Sequence, residues 1–208
     1  EIFKEIFEFS QYTKKIKIND NDTVLDLGCS WGYLYFKCIS EGLTVNYIGV
    51  DGSVFNFKNF IENLSEYPKL IEPILLNLAI DDELRVIDFK CMFNEESHQL
   101  VPTITFPDLL KLINKPIDFL KFDIEGYEKC IFEDLELFKS KVNRFAGEIH
   151  LNTEIFPRND VYESLLKLSR DTEISLTLFS VDMIDITSMM WENADYYNEI
   201  IINGMVIR

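Results

Sequence analysis

Residues 24–33 read VLDLGCSWGY, and the way this stretch divides decides the fold. Thr23 to Leu27 is a short β-rich run after a polar turn, and Gly28 and Gly32 bracket a break, since glycine takes backbone conformations closed to other residues. The next segment, YLYFKCISEG (33–42), has helical spacing and a stop at Gly42. Strand, tight turn and helix make one α/β unit, and the chain repeats it. VNYIGV (45–50) is a second strand ending at Asp51, 54–67 a helix, and IEPILLNLAI (71–80) a third strand. LRVIDFKCMF (84–93) is an additional strand and NEESHQLVP (94–102) a polar loop containing a solvated His98. FPDLLKLIN (106–114) is a helix, and IDFLKF (117–122) a further strand. A helix over 128–141, a strand over 142–151, a helix over 160–171 and a strand over 173–181 follow. Residues 182–198 are irregular and aromatic-rich, and 199–207 is an edge-like strand. Residues 2–15, within an N-terminal segment 1–18, have the spacing of an amphipathic helix. Alternation of this kind predicts an α/β fold with a mostly parallel sheet, helices on both faces and right-handed crossovers. The last two strands have no helix between them and are expected to form an antiparallel pair.

The 208 residues, 47% hydrophobic and 13% aromatic, suffice for one sizeable core, so 1–208 is expected to be a single domain. A net charge of −16 argues against nucleic acid, whose affinity rests on Lys and Arg neutralising phosphates. No run approaches the roughly 18 apolar residues that span a bilayer, so no membrane partner is expected. Cys29, Cys38, Cys91 and Cys130 show no metal-type clustering, and reduced buried thiols point to a cytoplasmic setting.

In an open α/β sheet, ligands bind beyond the carboxyl ends of the strands. Asp51, at the end of the second strand and 23 residues after Gly28, is placed to accept hydrogen bonds from both ribose hydroxyls. Asp51 and Ser53 are also candidates for a plain helix cap. Glycine turn and acid together indicate a nucleoside-containing ligand. A dinucleotide fingerprint needs G-x-G-x-x-G, but here Ser30 stands at the second glycine and no glycine at the third. Asp26, two residues before Gly28, suits a cationic ligand such as S-adenosylmethionine, which carries an ammonium and a sulfonium.

VLDLGCSWGY resembles the first motif of class I S-adenosylmethionine-dependent methyltransferases, and YIGVDGS (47–53) their ribose-binding motif. The run VPTITFPDLLKLINKPIDFLKFDIEGYEKCIFED (101–134), followed by GEIHL (147–151), resembles the FkbM family of these enzymes, whose signature is a strand running into D-x-E-G-x-E. The resemblance covers roughly 20–155 and leaves 156–208 as the C-terminal part of the sheet. It implies a Rossmann-like, seven-stranded fold and S-adenosyl-L-methionine as cofactor. It further implies that Gly28, Cys29, Ser30 and Gly32 line the methionine moiety with Asp26 near its ammonium. Asp51 would hold the ribose, flanked by Gly52 and Ser53, with Phe55 or Phe57 nearby or in the core. Leu78 and Ala79 would lie by the adenine, and Asp123 would face cofactor and substrate. Cys29 and Ser30 depart from the small-residue and Asn pair common in the first motif, and Asp51-Gly52 replaces a more usual Glu-Pro.

FLKFDIEGYEK (119–129) crowds Asp123, Glu125 and Glu128 after an apolar strand. Attack by an alcohol on the methyl group needs a base with a pKa near the working pH. Asp123 is the strand-end acid, and Glu125 shares its cleft if the backbone stays extended. His150 is a neutral-pH base or a structural residue, and Glu148 is a hydrogen-bond partner for His150 or Glu125. Glu128 favours the dipole of a following helix. Asp123, Glu125, Glu148 and His150 would also suit a hard cation, but nothing in their spacing demands one, and no metal is expected. The expected reaction is O-methylation of a sugar, glycan or other small-molecule hydroxyl. Trp191, Tyr196 and Tyr197 are available to stack on a ring or to pack elsewhere. Another acceptor class, or a non-catalytic cofactor-binding module of a larger assembly, remains the alternative.

Overall fold

The computed structural model describes residues 3–67, 71–90, 98–151, 155–180, 183–187 and 199–207. Strand β1 (Thr23–Leu27) is buried at every position. Leu25 and Leu27 enter one hydrophobic core and Val24 another, so both faces of this strand are covered. It pairs in parallel with β2 (Asn46–Val50) on one side and β7 (Ile117–Phe122) on the other. Beyond β2 lies β3 (Ile74–Leu76), and beyond β7 lies β8 (Val142–His150), both again parallel. The sheet is completed by β9 (Ile174–Phe179) and β10 (Glu199–Val206), in the order β3-β2-β1-β7-β8-β10-β9. Strand order reverses between β1 and β7, which opens a crevice beyond their carboxyl ends.

Helices cover both faces. On the Val24 face, α1 (Tyr33–Ser40) and α2 (Val54–Ser65) bury Leu34, Tyr35, Phe57 and Phe60. On the other, α3 (Phe106–Ile113), α4 (Leu135–Lys141) and α5 (Arg158–Arg170) contribute Leu109, Phe138 and Leu165. Local chemistry fixes their starts. The Ser53, Thr105 and Asp134 side chains accept hydrogen bonds from the backbone amides of Asn56, Asp108 and Leu137.

The expected seven-stranded, mostly parallel α/β sheet forms, but several elements differ from their sequence pattern. The N-terminal helix shrinks to a π-helical turn at Lys4–Glu8, and residues 11–16 are turns. Ser10 has φ +51°, and the chain beyond it lies across the sheet with Tyr12, Ile16 and Ile18 buried. The run 71–80 divides at Asn77, whose side-chain amide donates to the carbonyls of Asp51 and Gly52, both at 3.0 Å. Past that clamp, β4 (Ala79–Ile80) leaves the main sheet and pairs with β6 (His98–Ile104). The antiparallel partner of β6 is β5 (Val86–Lys90), so part of the expected polar loop is a strand in a second, three-stranded sheet. The helix expected over 128–141 is a 3-10 turn at Glu128–Phe132 followed by α4, because Asp134 stops one and caps the other. The C-terminal strand is not an edge. β10 runs antiparallel to both β8 and β9, and the consecutive buried residues Ile200, Ile201 and Ile202 mark a strand covered on both faces. Among the described residues no helix is long and apolar enough to cross a membrane.

Phe138 is fully buried with ring centroids 5.2 Å from Phe145 and 5.4 Å from Phe132. Phe138→Ala is expected to lower the unfolding free energy by about 3–5 kcal/mol, read as a shift of the urea midpoint.

Candidate active site

The turn after β1 is shaped by contact with β7. Gly28 has φ +73°, and a Cβ there would lie 1.9 Å from the Asp123 carbonyl oxygen, so both conformation and space exclude any side chain. Its amide donates to the Val50 carbonyl at 2.8 Å, and the Asp123 amide donates to the Leu27 carbonyl at 3.1 Å. The ends of β1, β2 and β7 are thereby locked together around a cavity of about 340 Å³.

One wall of this cavity is polar. The Asp51 carboxylate accepts from the Ser30 amide at 2.9 Å, the Ser53 amide at 2.7 Å and the Asn56 side chain at 3.2 Å. Burial raises the Asp51 pKa, opposed by those three donors and by Lys121. Ser30 and Asn56 line the cavity, and the Ser30 hydroxyl and Asn56 carbonyl oxygen are buried without a hydrogen-bonding partner among the described residues. Polar atoms left in this state carry a desolvation cost that ligand hydroxyl or ammonium donors relieve. The opposite wall is apolar, with Leu78, Ala79, Ile87 and Phe89. Phe89 lies so close over Gly52 that a Cβ on Gly52 would sit 2.5 Å from its ring. An apolar slot beside an acid and unpaired polar atoms fits a nucleoside such as the adenosine of S-adenosylmethionine.

The floor toward β7 and β8 is crowded with charge. Asp123 and Glu125 line the cavity. Glu125 does not continue an extended strand: it has φ +56° and Gly126 φ +106°, a tight turn. Glu128 holds that turn from beneath, fully buried, accepting from the amides of Ile124 and Gly126 at 3.1 Å each. It also lies 3.0 Å from His150 Nδ1, so its role exceeds the helix-dipole one expected. The other imidazole nitrogen, Nε2, is 3.7 Å from Glu125, 3.5 Å from Glu199 and 4.0 Å from Glu148. Burial lowers the His150 pKa, but the Glu128 hydrogen bond and the charges of Glu128, Asp123 and Glu125 outweigh it and raise it to about 10. That direction favours the imidazolium at neutral pH, in contrast to the neutral base expected. Burial pushes the Asp123 carboxyl up to about 6 against the pull of Lys121, with Glu148 adding to the rise. Burial and Glu199 raise Glu148 as well.

Of the residues expected at the cofactor, Gly28, Ser30, Asp51, Gly52, Ser53, Leu78, Ala79 and Asp123 all line this cavity, while Asp26, Cys29 and Gly32 do not. Asp26 lies beneath the turn, where it accepts from the Tyr47 hydroxyl and forms an ion pair with Lys121 at 3.2 Å. Cys29 packs against Gly49, and a Cβ on Gly32 would strike the ring of Phe60. Phe57 is core, and Phe55 stands edge-on to Trp31. Glu148 and His150 stand behind Asp123 rather than on the cavity wall, and the carboxylate and imidazole atoms of the three lie within 4.8 Å of one another. Glu148 Oε1 already accepts hydrogen bonds from Tyr12 and Gln11. His98 is exposed beside Asp88. Cys91, Trp191, Tyr196 and Tyr197 lie outside the described residues.

Sequence reasoning missed Gln11, Tyr12, Asn56, Phe89 and Lys121. A signal existed for Lys121, a charge inside an otherwise apolar strand. The N-terminal pair carried none.

A parallel sheet with its strand order reversing at a glycine turn, a strand-end acid beside a nucleoside-sized cavity and a C-terminal antiparallel insertion define a class I methyltransferase fold. A family model described as the methyltransferase FkbM domain matches residues 39–179, and the chain belongs to that family. It is accordingly an S-adenosylmethionine-dependent methyltransferase. Among solved structures, the methyltransferase FkbM from Methylobacillus flagellatus KT is similar with TM-score 0.63 and 14% identity, over 97% of this chain and 47% of that one. An rRNA methylase from Streptococcus thermophilus matches with TM-score 0.55 and 14% identity, over 92% of this chain and 90% of that one. An O-methyltransferase from Bacillus cereus, in complex with SAH, matches with TM-score 0.53 and 12% identity, over 99% and 79%. No curated protein matches the sequence.

His150 and Asp123 both hold their protons to higher pH in the fold than their unfolded values of roughly 6.5 and 3.9. The native state thus binds more protons across that window, and its stability is fully present at low pH and lost as pH rises through about 6 and then about 10. Urea unfolding is expected to give a free energy lower at pH 9 than at pH 5 by on the order of 1 kcal/mol or more. The slope should flatten in His150→Gln, and a slope of opposite sign in the native chain would contradict the site's electrostatics.

Proposed function

We propose that the chain methylates a hydroxyl oxygen of a sugar, glycan or other small molecule, with Asp123 as the general base. S-adenosylmethionine supplies an electrophilic methyl group on its sulfonium. The Gly28 turn, Asp51 and the Leu78–Ala79 slot would hold that cofactor, and Asp123, at the end of β7, would take the acceptor proton as the methyl group passes to the acceptor oxygen and S-adenosylhomocysteine is left. Alignment of this kind is worth on the order of 7 kcal/mol or more in favourable cases.

The observation that carries this reading is the state of Asp123. It lines the cavity, and its carboxyl titrates near 6, which leaves it ionised yet basic at neutral pH. His150, charged and held at Nδ1 by Glu128, stabilises the anionic cluster and orients Glu125 rather than removing the proton. A net charge of −16 supports a small acceptor over nucleic acid. The free thiols of Cys29, Cys38 and Cys130 support the cytoplasm, and the 208 residues are read as one catalytic domain.

The test is transfer of labelled methyl from S-adenosylmethionine to a panel of sugars and hydroxylated small molecules, beside amine acceptors. Turnover should rise with pH through about 6, as Asp123 loses its proton. Asp123→Asn should cut turnover by about 100-fold or more while leaving the dissociation constant for S-adenosylhomocysteine within a few-fold. Near-normal turnover in that variant, or transfer to amines alone, refutes the reading.

A further inference from the structure

Lys121 interrupts the apolar strand β7 and is only 4% exposed. An ammonium so far from water costs several kcal/mol unless its charge and donors are matched, and here they are matched from two sides. Its Nζ donates to the Gly28 carbonyl at 2.7 Å and to the Leu27 carbonyl at 3.4 Å. It lies 3.2 Å from Asp26 Oδ1 and 4.0 Å from Asp123 Oδ2. The ring of Tyr12 closes over it at 5.4 Å from the centroid. Gly28 opens the cofactor turn on β1, whereas Asp123 ends β7. The ammonium bridges the two strand ends.

We propose that Lys121 is a positioning residue that couples the cofactor turn to the base, holding the Gly28 carbonyl with one face of its ammonium and the charge of Asp123 with the other. This rests on the reading of Asp123 as the base. The groups facing Asp123 make the coupling necessary. Glu148 and His150 approach from β8, Glu128 from the 3-10 turn, Glu125 from the adjoining turn, and the Tyr12 hydroxyl from the N-terminal segment at 3.3 Å. Glu199 of β10 adds a further carboxylate beside Glu148 and His150. Glu148, Glu128 and Glu125 oppose the ionisation of Asp123, and Lys121 and His150 are the cations among the described residues that favour it. Of these two cations, Lys121 alone also touches the cofactor turn. A lysine serving only to neutralise Asp26 would leave Asp123 and the cofactor affinity unchanged when both members of that pair are made neutral.

The experiment separates these cases without knowledge of the acceptor. In the full chain carrying 13C-carboxyl aspartate, the Asp123 resonance is identified by its loss in Asp123→Asn and followed against pH, and S-adenosylhomocysteine binding is measured by calorimetry. Lys121→Met is compared with the native chain. Because that change leaves Asp26 buried and unpaired, the double variant Asp26→Asn/Lys121→Met is also compared with Asp26→Asn. Loss of Lys121 should raise the Asp123 midpoint by about one pH unit and weaken S-adenosylhomocysteine by about 10-fold. A change in only one of the two quantities, or in neither, overturns the coupling. Failure of the native chain to bind S-adenosylhomocysteine would instead overturn the methyltransferase site and the coupling with it, a result distinct from an unaltered variant.

Discussion

A single buried ammonium stands where the two central strands of the sheet end. Lys121 is held between the carbonyls of Leu27 and Gly28 on β1 and the carboxylates of Asp26 and Asp123. In a low-dielectric interior none of these groups is tolerable alone: unpaired carboxylates there would take up protons, and an unpaired ammonium would lose one. The arrangement therefore holds as a set. It places a cation directly beneath a turn that borders the cavity, and it explains why Asp26, which matches a cofactor motif by position, points into the protein instead.

A second anchor lies one strand over. Glu128 receives two amides from the turn after β7 and the imidazole of β8, so a segment with two successive left-handed residues, Glu125 and Gly126, keeps one geometry. Left-handed backbone at a glutamate costs on the order of 1 kcal/mol or more and persists where surrounding contacts over-determine it. The charge on His150 follows from the same contacts. With Glu128, Glu125, Glu199 and Glu148 within 4.0 Å of its ring nitrogens, the imidazole holds its proton more tightly than a free one.

The N-terminal segment closes this site from the Val24 face of the sheet. Gln11 and Tyr12 donate to Glu148, and Tyr12 also reaches Asp123. They lie outside residues 39–179, the portion that matches the FkbM methyltransferase model. The second small sheet does the corresponding service on the cofactor side, where Phe89 of β5 covers Gly52 and Gln99 of β6 donates to its carbonyl. Both additions turn an open crevice into a walled one, and water exclusion strengthens every charge interaction inside.

The alternation of strands and helices, the glycine turn, and Asp51 and Asp123 at strand ends were legible before any folding was considered. Each of these is written in local spacing: β-rich runs of five or six residues, glycine where φ is positive, an acid directly after an apolar run. Local spacing was also enough to separate Ser30 and Asp51 from a dinucleotide pattern. Packing between distant segments put β10 inside the sheet, split the third strand at Asn77 and gave Asp26 to Lys121. It alone set the protonation of His150 and Asp123. A pKa in a buried cluster is the sum of desolvation, neighbouring charges and hydrogen bonds, some from groups as far away in sequence as the 137 positions between Gln11 and Glu148, and no local pattern encodes that sum.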